Sequence, residues 1–199
     1  MQLGEDTITM SMTLNPVNEA AFQKAVQSLE TLNRAAVFHP TGTGKSCIAW
    51  KVVEAHPQTT FFWLVAGAQR LALRQAELTR YSGGTLPGNV RFCDCEKLAA
   101  ATPEQWVRLG EQKPGCIVLD CYHELSAVCW AQSVQKLLRM CPQAKVLGLG
   151  VPNGAPVCAA AQELFADCIV SHMTVAEAMA AGTMPVPSAY AALLWPQEE

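Results

Sequence analysis

One segment constrains this chain more than any other: His39-Pro40-Thr41-Gly42-Thr43-Gly44-Lys45-Ser46. It follows an apolar burst, Ala35-Ala36-Val37-Phe38, and precedes a stretch with helical spacing from Lys45 to Ala55. A glycine-rich turn between a strand and a helix, closing on Lys-Ser, is the setting of a phosphate-binding loop. Glycines let backbone N–H groups turn inward around phosphates, the helix N-terminus adds partial positive charge, and a lysine reaches the outer phosphates. The serine hydroxyl is a ligand for Mg2+. Pro40, Thr41, Gly42, Thr43, Gly44, Lys45 and Ser46 are therefore the expected nucleotide-binding residues, with ATP and Mg2+ as ligands. His39 stands where the G-x-x-x-x-G-K-S pattern has its first glycine, a departure of one residue. A tight glycine turn with a solvated lysine is the competing reading, and the order of strand, turn, Lys-Ser pair and helix weighs against it.

The rest of the chain repeats the alternation of apolar burst and helical pattern, which is the sequence form of a mostly parallel sheet covered by helices on both faces. Helices are expected at Asn18 to Leu32, Ala68 to Arg80, Pro103 to Leu109, Leu125 to Met140, Val157 to Phe165 and Val175 to Ala181. Strands are expected at Thr60 to Val65, Val90 to Cys93, Cys116 to Leu119, Lys145 to Leu149 and Cys168 to Val170. Thr102 and Thr174 precede helical patterns as caps. Pro185, Pro187 and Pro196 mark an irregular tail. The pattern predicts one three-layer α/β domain over 15–184, with an extension at 1–14 and a tail at 185–199, and 199 residues suffice for a substantial core.

Asp120 ends the apolar strand Cys116-Ile117-Val118-Leu119. A phosphate-binding loop needs a carboxylate opposite its serine to hold the water shell of Mg2+, so Ser46 and Asp120 are the expected metal residues. The net charge of -3 supplies no general basic field, and contact with nucleic acid is expected to be local and weak. Nine cysteines sit scattered in apolar runs, and Cys93 and Cys95 form only C-x-C, so buried reduced thiols are expected rather than disulfides. The opening MQLGEDTITM lacks the regions of a signal peptide, and no apolar run approaches a membrane span, so a cytoplasmic protein without membrane contact is expected.

Residues 33–46, Asn33 through Ser46, resemble motif I of bacterial superfamily 2 DEAD/DEAH-type helicases, including those related to type III restriction subunits. Leu119-Asp120-Cys121-Tyr122-His123 lies where that family has Asp-Glu-x-His, and Lys145-Val146-Leu147-Gly148-Leu149 lies where its motif III begins. Leu164-Phe165-Ala166-Asp167 and Met173-Thr174-Val175-Ala176-Glu177-Ala178 resemble the segment closing the first motor lobe. The resemblance covers residues 15–190 and implies a RecA-like P-loop NTPase fold. It also implies catalytic roles for Asp120 and for His123, the latter linking the nucleotide site to motif III.

The departures from the family are specific. Cys121 stands where the family has the glutamate that activates water, and Glu124 is the nearby carboxylate that could substitute for it. Gly150-Val151-Pro152-Asn153 replaces Thr-Ala-Thr-Pro, Ala66-Gly67 replaces a Pro-Ser pair, and Asp94-Cys95 replaces a Thr-Tyr-like pair in strand-contacting motifs. Family members close two lobes around ATP, so the resemblance implies either a helicase remnant or one part of a split assembly whose second lobe another chain supplies, with impaired hydrolysis by this chain alone. Trp50, Trp63 and Trp130 fall in apolar patterns and read as core, while Arg70 and Arg74 read as a solvated helix face. A non-enzymatic nucleotide-binding or interaction domain and a P-loop small-molecule kinase are the alternatives. The kinase needs a cluster of lid arginines that Arg108 and Arg139 do not make.

Overall fold

Apolar bursts that do not alternate with polar residues belong to strands covered on both faces. The computed structural model, which describes residues 12–120, 122, 127–152 and 163–185, has that arrangement. Its strands are β1 (Arg34–Phe38), β2 (Phe61–Val65), β3 (Val90–Asp94), β4 (Cys116–Asp120), β5 (Lys145–Gly150) and β6 (Ile169–His172). They form a single six-stranded sheet in the order β3-β2-β4-β5-β1-β6, with every pairing parallel. β5 lies between β1 and β4, so the strand feeding the glycine-rich loop and the strand ending in Asp120 are one strand apart. Asp120 registers with Leu149, and Leu149 with Val37.

Successive strand residues feed opposite cores. Ala35, Val37, Trp63, Val118 and Leu147 pack with buried residues of α1 (Pro16–Thr31), α2 (Lys45–Ala55) and α3 (Ala68–Tyr81). Ala36, Phe62, Leu64, Ile117 and Val146 face the other way. There they meet Cys95 of α4 (Cys95–Ala99), Trp106 of α5 (Pro103–Glu111) and Trp130, Val134 and Leu137 of a helical run. That run consists of α6 (Ala127–Cys129), a π-helical turn (Trp130–Val134) and α7 (Gln135–Met140). A last helix, α8 (Val175–Ala180), follows β6. The architecture is a three-layer, RecA-like P-loop fold.

Most elements lie where the sequence pattern put them, and the differences have local causes. α1 starts at Pro16 rather than Asn18, because Asn15 accepts the Asn18 N–H at 2.9 Å and so caps a helix that opens on proline. Thr102 and Thr174 cap α5 and α8 in full capping boxes. α4 was not anticipated: Asp94, at the end of β3, turns its carboxylate onto the Glu96 N–H at 2.9 Å and starts a helix at once. Residues 125–126 of the expected Leu125 to Met140 helix lie outside the described residues, and the remainder is interrupted by the π turn. There the Ser133 hydroxyl bonds to the Cys129 carbonyl, the kind of side-chain competition that disturbs a helical ladder. Most of the expected helix Val157 to Phe165, residues 1–11 of the extension and residues 186–199 of the tail also lie outside the described residues.

Trp50, Trp63 and Trp130 are all buried, as expected. The cysteines among the described residues are free. Burial pushes the Cys93 and Cys116 thiols up to about 12, which leaves them protonated and inert. No helix of the described residues is long and apolar enough to cross a membrane.

Candidate nucleotide-binding site

In an open parallel sheet the carboxyl ends of the strands leave a crevice, and β1 and β4 both deliver their functional residues there. After Phe38 the chain turns through Gly42 and Gly44, both at φ 87°, in the left-handed region that favours glycine. Gly44 caps α2, and a Cβ on it would stand 2.8 Å from the Asn18 side-chain nitrogen, so shape and backbone both demand glycine. The loop opens onto a cavity of about 370 Å3 whose wall includes Thr41, Gly42, Gly44, Lys45, Ser46 and Asp120. Ser46 and Asp120, expected from sequence to work together, thus share one cavity. Pro40 and Thr43 stand behind it, both buried, with the Thr43 hydroxyl donating to the Pro40 carbonyl at 2.8 Å. Cys121, His123 and Glu124 lie outside the described residues.

Lys45 is buried, and its Nζ donates to the carbonyls of His39 at 2.6 Å and Pro40 at 2.8 Å. The ammonium is therefore held at the mouth of the loop by the loop's own backbone. Asn18 braces the same loop from α1, its Nδ2 donating to the Thr43 carbonyl at 2.8 Å. Sequence reasoning missed this contact. Its one signal was a polar residue on the face carrying Ala21, Ala25 and Leu29, where burial should exclude it.

His39, in the place of the first glycine, is fully buried and hydrogen-bonds through Nε2 to the Ser171 hydroxyl at 2.7 Å. Burial, then the charges of Lys45 and His172, lower its pKa to about 4, so the ring is neutral at pH 7. An unfolded histidine protonates near pH 6.5. Between pH 6.5 and about 4 the unfolded chain therefore binds a proton that the folded chain does not, and stability falls as pH drops through that window. Urea unfolding at pH 7 and pH 5 is expected to show this loss in the wild type and a smaller one in His39→Asn. Equal losses in both proteins would assign the acid sensitivity to other groups.

Asp120 has partners that the sequence did not reveal. Trp63 and Val118 are paired in register on β2 and β4, and Asp120, two residues beyond Val118, projects on the same side. The Trp63 indole accordingly donates to Asp120 Oδ2 at 3.1 Å. Arg74 Nε donates to the same oxygen at 2.6 Å, in an ion pair whose side chains are only 18% and 2% exposed. Arg74 also pairs with Glu77, one turn along α3. The expectation of a solvated face is thus corrected for Arg74, whereas Arg70 is exposed as expected. Arg74 lies one turn before the fully buried Leu78, and that spacing aims it inward. Burial opposes the guanidinium charge, the Asp120 and Glu77 carboxylates more than offset it, and the Arg74 pKa is raised.

Leu73, Arg74, Glu77 and Tyr81 of α3 complete the cavity wall. The loop, with its two left-handed glycines, Lys45 and the α2 N-terminus, fits a chain of phosphates. Mg2+ at Asp120 does not fit this arrangement, because a guanidinium already holds the carboxylate that would bind the metal's water shell.

No protein-family model matches this chain, and no curated protein matches it. Among solved structures it is similar to an ATP-dependent Type ISP restriction-modification enzyme, LlaBIII, bound to DNA. The TM-score is 0.56 and the identity 12%, over 85% of this chain and 16% of that one. The chain thus matches a small part of a much larger enzyme, and at that identity the likeness is one of fold.

Proposed function

We propose that this chain is an ATP-binding lobe of the superfamily 2 helicase type, which binds nucleotide at the glycine-rich loop and hydrolyses it poorly by itself. The observation that carries the reading is the single cavity that gathers Thr41, Gly42, Gly44, Lys45 and Ser46 with Asp120 at the carboxyl ends of a parallel sheet. The strand order supports it, and so does the likeness of fold to an enzyme whose description is ATP-dependent and DNA-bound. Lys45 donates to the loop's own carbonyls, and a phosphate oxygen offers its ammonium a charged acceptor in place of these neutral ones. Calorimetric titration of the chain with ATP tests the reading, with heats that saturate at one site as the expected result and none at all as the result against it.

Action on nucleic acid is the wider part of the proposal, with a second lobe closing on the nucleotide. The strand-contacting positions explain why this chain alone should bind weakly. Asp94 is buried and committed to capping α4, and Gly67 opens α3 with its Cα facing the Glu96 carboxylate rather than a cation. Together with the net charge of -3, this gives an expected affinity no tighter than nonspecific binding, on the order of 10^-4 to 10^-6 M. Fluorescence anisotropy with labelled single-stranded and duplex DNA should show that remnant vanish as salt rises. Binding that persists at moderate salt would mean the strand-contacting surface is intact.

A further inference from the structure

We infer that the cavity takes the phosphates of a nucleoside triphosphate without a divalent cation at Asp120, the Arg74 guanidinium standing where the cation would be. The inference rests on the nucleotide-binding reading above and names the form of ligand the site accepts.

The geometry is specific to the metal position. Asp120 Oδ2 receives both the Trp63 indole N–H and Arg74 Nε, and its side chain is 2% exposed. Both bonds fall on Oδ2, so the water shell of a dication would have to share Asp120 with the Arg74 guanidinium. Any cation approaching it would also meet the positive charge of Arg74 at close range. Arg74 is not a loose surface group that could swing aside: Glu77 holds it from the same helix, and Leu78 buries the next turn of α3 in the core. Among the described residues no group of three His, Cys, Asp or Glu side chains could hold a metal ion elsewhere.

Lys45 and Arg74 are positive, Asp120 and Glu77 negative, and these four cancel before the loop N–H groups and the α2 N-terminus add their partial positive charge. A triphosphate thus meets a site whose cationic groups are all supplied by the protein. Arg74 uses Nε on Asp120 and Nη1 on Glu77, and the fork geometry of a guanidinium leaves further N–H donors for phosphate oxygen.

The test is calorimetric titration of the full chain with ATP, once with excess Mg2+ and once with EDTA, on the wild type and on Arg74→Gln. For the wild type the two dissociation constants are expected to agree within fivefold. For Arg74→Gln, which frees Asp120, binding with Mg2+ should be more than fivefold tighter than binding with EDTA. Wild-type binding weakened more than fivefold by EDTA overturns this inference and leaves the nucleotide-binding reading standing. Absence of ATP binding in both buffers overturns both. A folded Arg74→Gln protein indifferent to Mg2+ overturns the assignment of Arg74 to the cation's place. The wild-type pair of titrations is decisive even where circular dichroism shows that the variant does not fold.

Discussion

Lys45→Ala is expected to remove measurable ATP binding. The side chain is the charged donor of the loop, and hydrogen bonds to charged groups contribute about 1.5 to 3 kcal/mol each, or roughly 10- to 150-fold in affinity per bond. A lysine that meets two phosphate oxygens therefore carries most of the binding of a modest site. The same substitution has a structural cost, because Lys45 Nζ now ties down the carbonyls of His39 and Pro40. Leaving a buried acceptor unpaired costs about 1 to 3 kcal/mol, so a lower melting temperature should accompany the loss of binding. Circular dichroism at the titration temperature separates the two effects. A folded Lys45→Ala protein that binds ATP as tightly as the wild type would end the assignment of this loop to phosphate.

ATP turnover by the wild-type chain is expected to stay near the spontaneous rate even where binding is saturated. The position after Asp120 is cysteine, where the family resemblance implies a glutamate that orients and deprotonates water. General-base assistance of that kind is typically worth ~10^2 to 10^4 in rate, and cysteine does not supply the carboxylate that gives it in the family. By the family resemblance the ~10^3 to 10^5 that an arginine finger contributes comes from a second lobe, so this chain alone is expected to lack it. Cys121→Glu should raise phosphate release by a small, measurable factor and no more. Hydrolysis by the wild type as fast as by Cys121→Glu would show that the missing glutamate is not limiting. Glu124→Gln would then decide whether that carboxylate has taken the role.

These two outcomes bear on different parts of the site, one legible in the sequence and one only partly so. The loop was legible because its causes are local: Gly42 and Gly44 supply positive φ within a few residues of Lys45. The position of Asp120 at a strand end was legible for the same reason, since a continuous apolar run stops there. The partners of Asp120 were not legible. Arg74 is 46 residues away and Trp63 is 57 away, and both looked unremarkable in their own segments, one as a helix-surface arginine and the other as a core tryptophan.

Legible in the residues themselves were most strands and helices, the glycine-rich loop, the caps at Thr102 and Thr174 and the place of Asp120 at a strand end. Each depends on backbone and side-chain preferences acting over a turn or two. Which side chains meet was set by how those elements pack. The strand order set β2 beside β4, and the register then put Trp63 on the same face as Asp120. The packing of Leu78 rotated α3 so that Arg74 faces the cavity, while α1 brought Asn18 to the Thr43 carbonyl. Periodicity fixes which residues share a face of a helix, but what that face meets is set by nonlocal pairing and burial. For this reason the glycine-rich loop could be read from its own residues, and the Arg74 guanidinium on Asp120 could not.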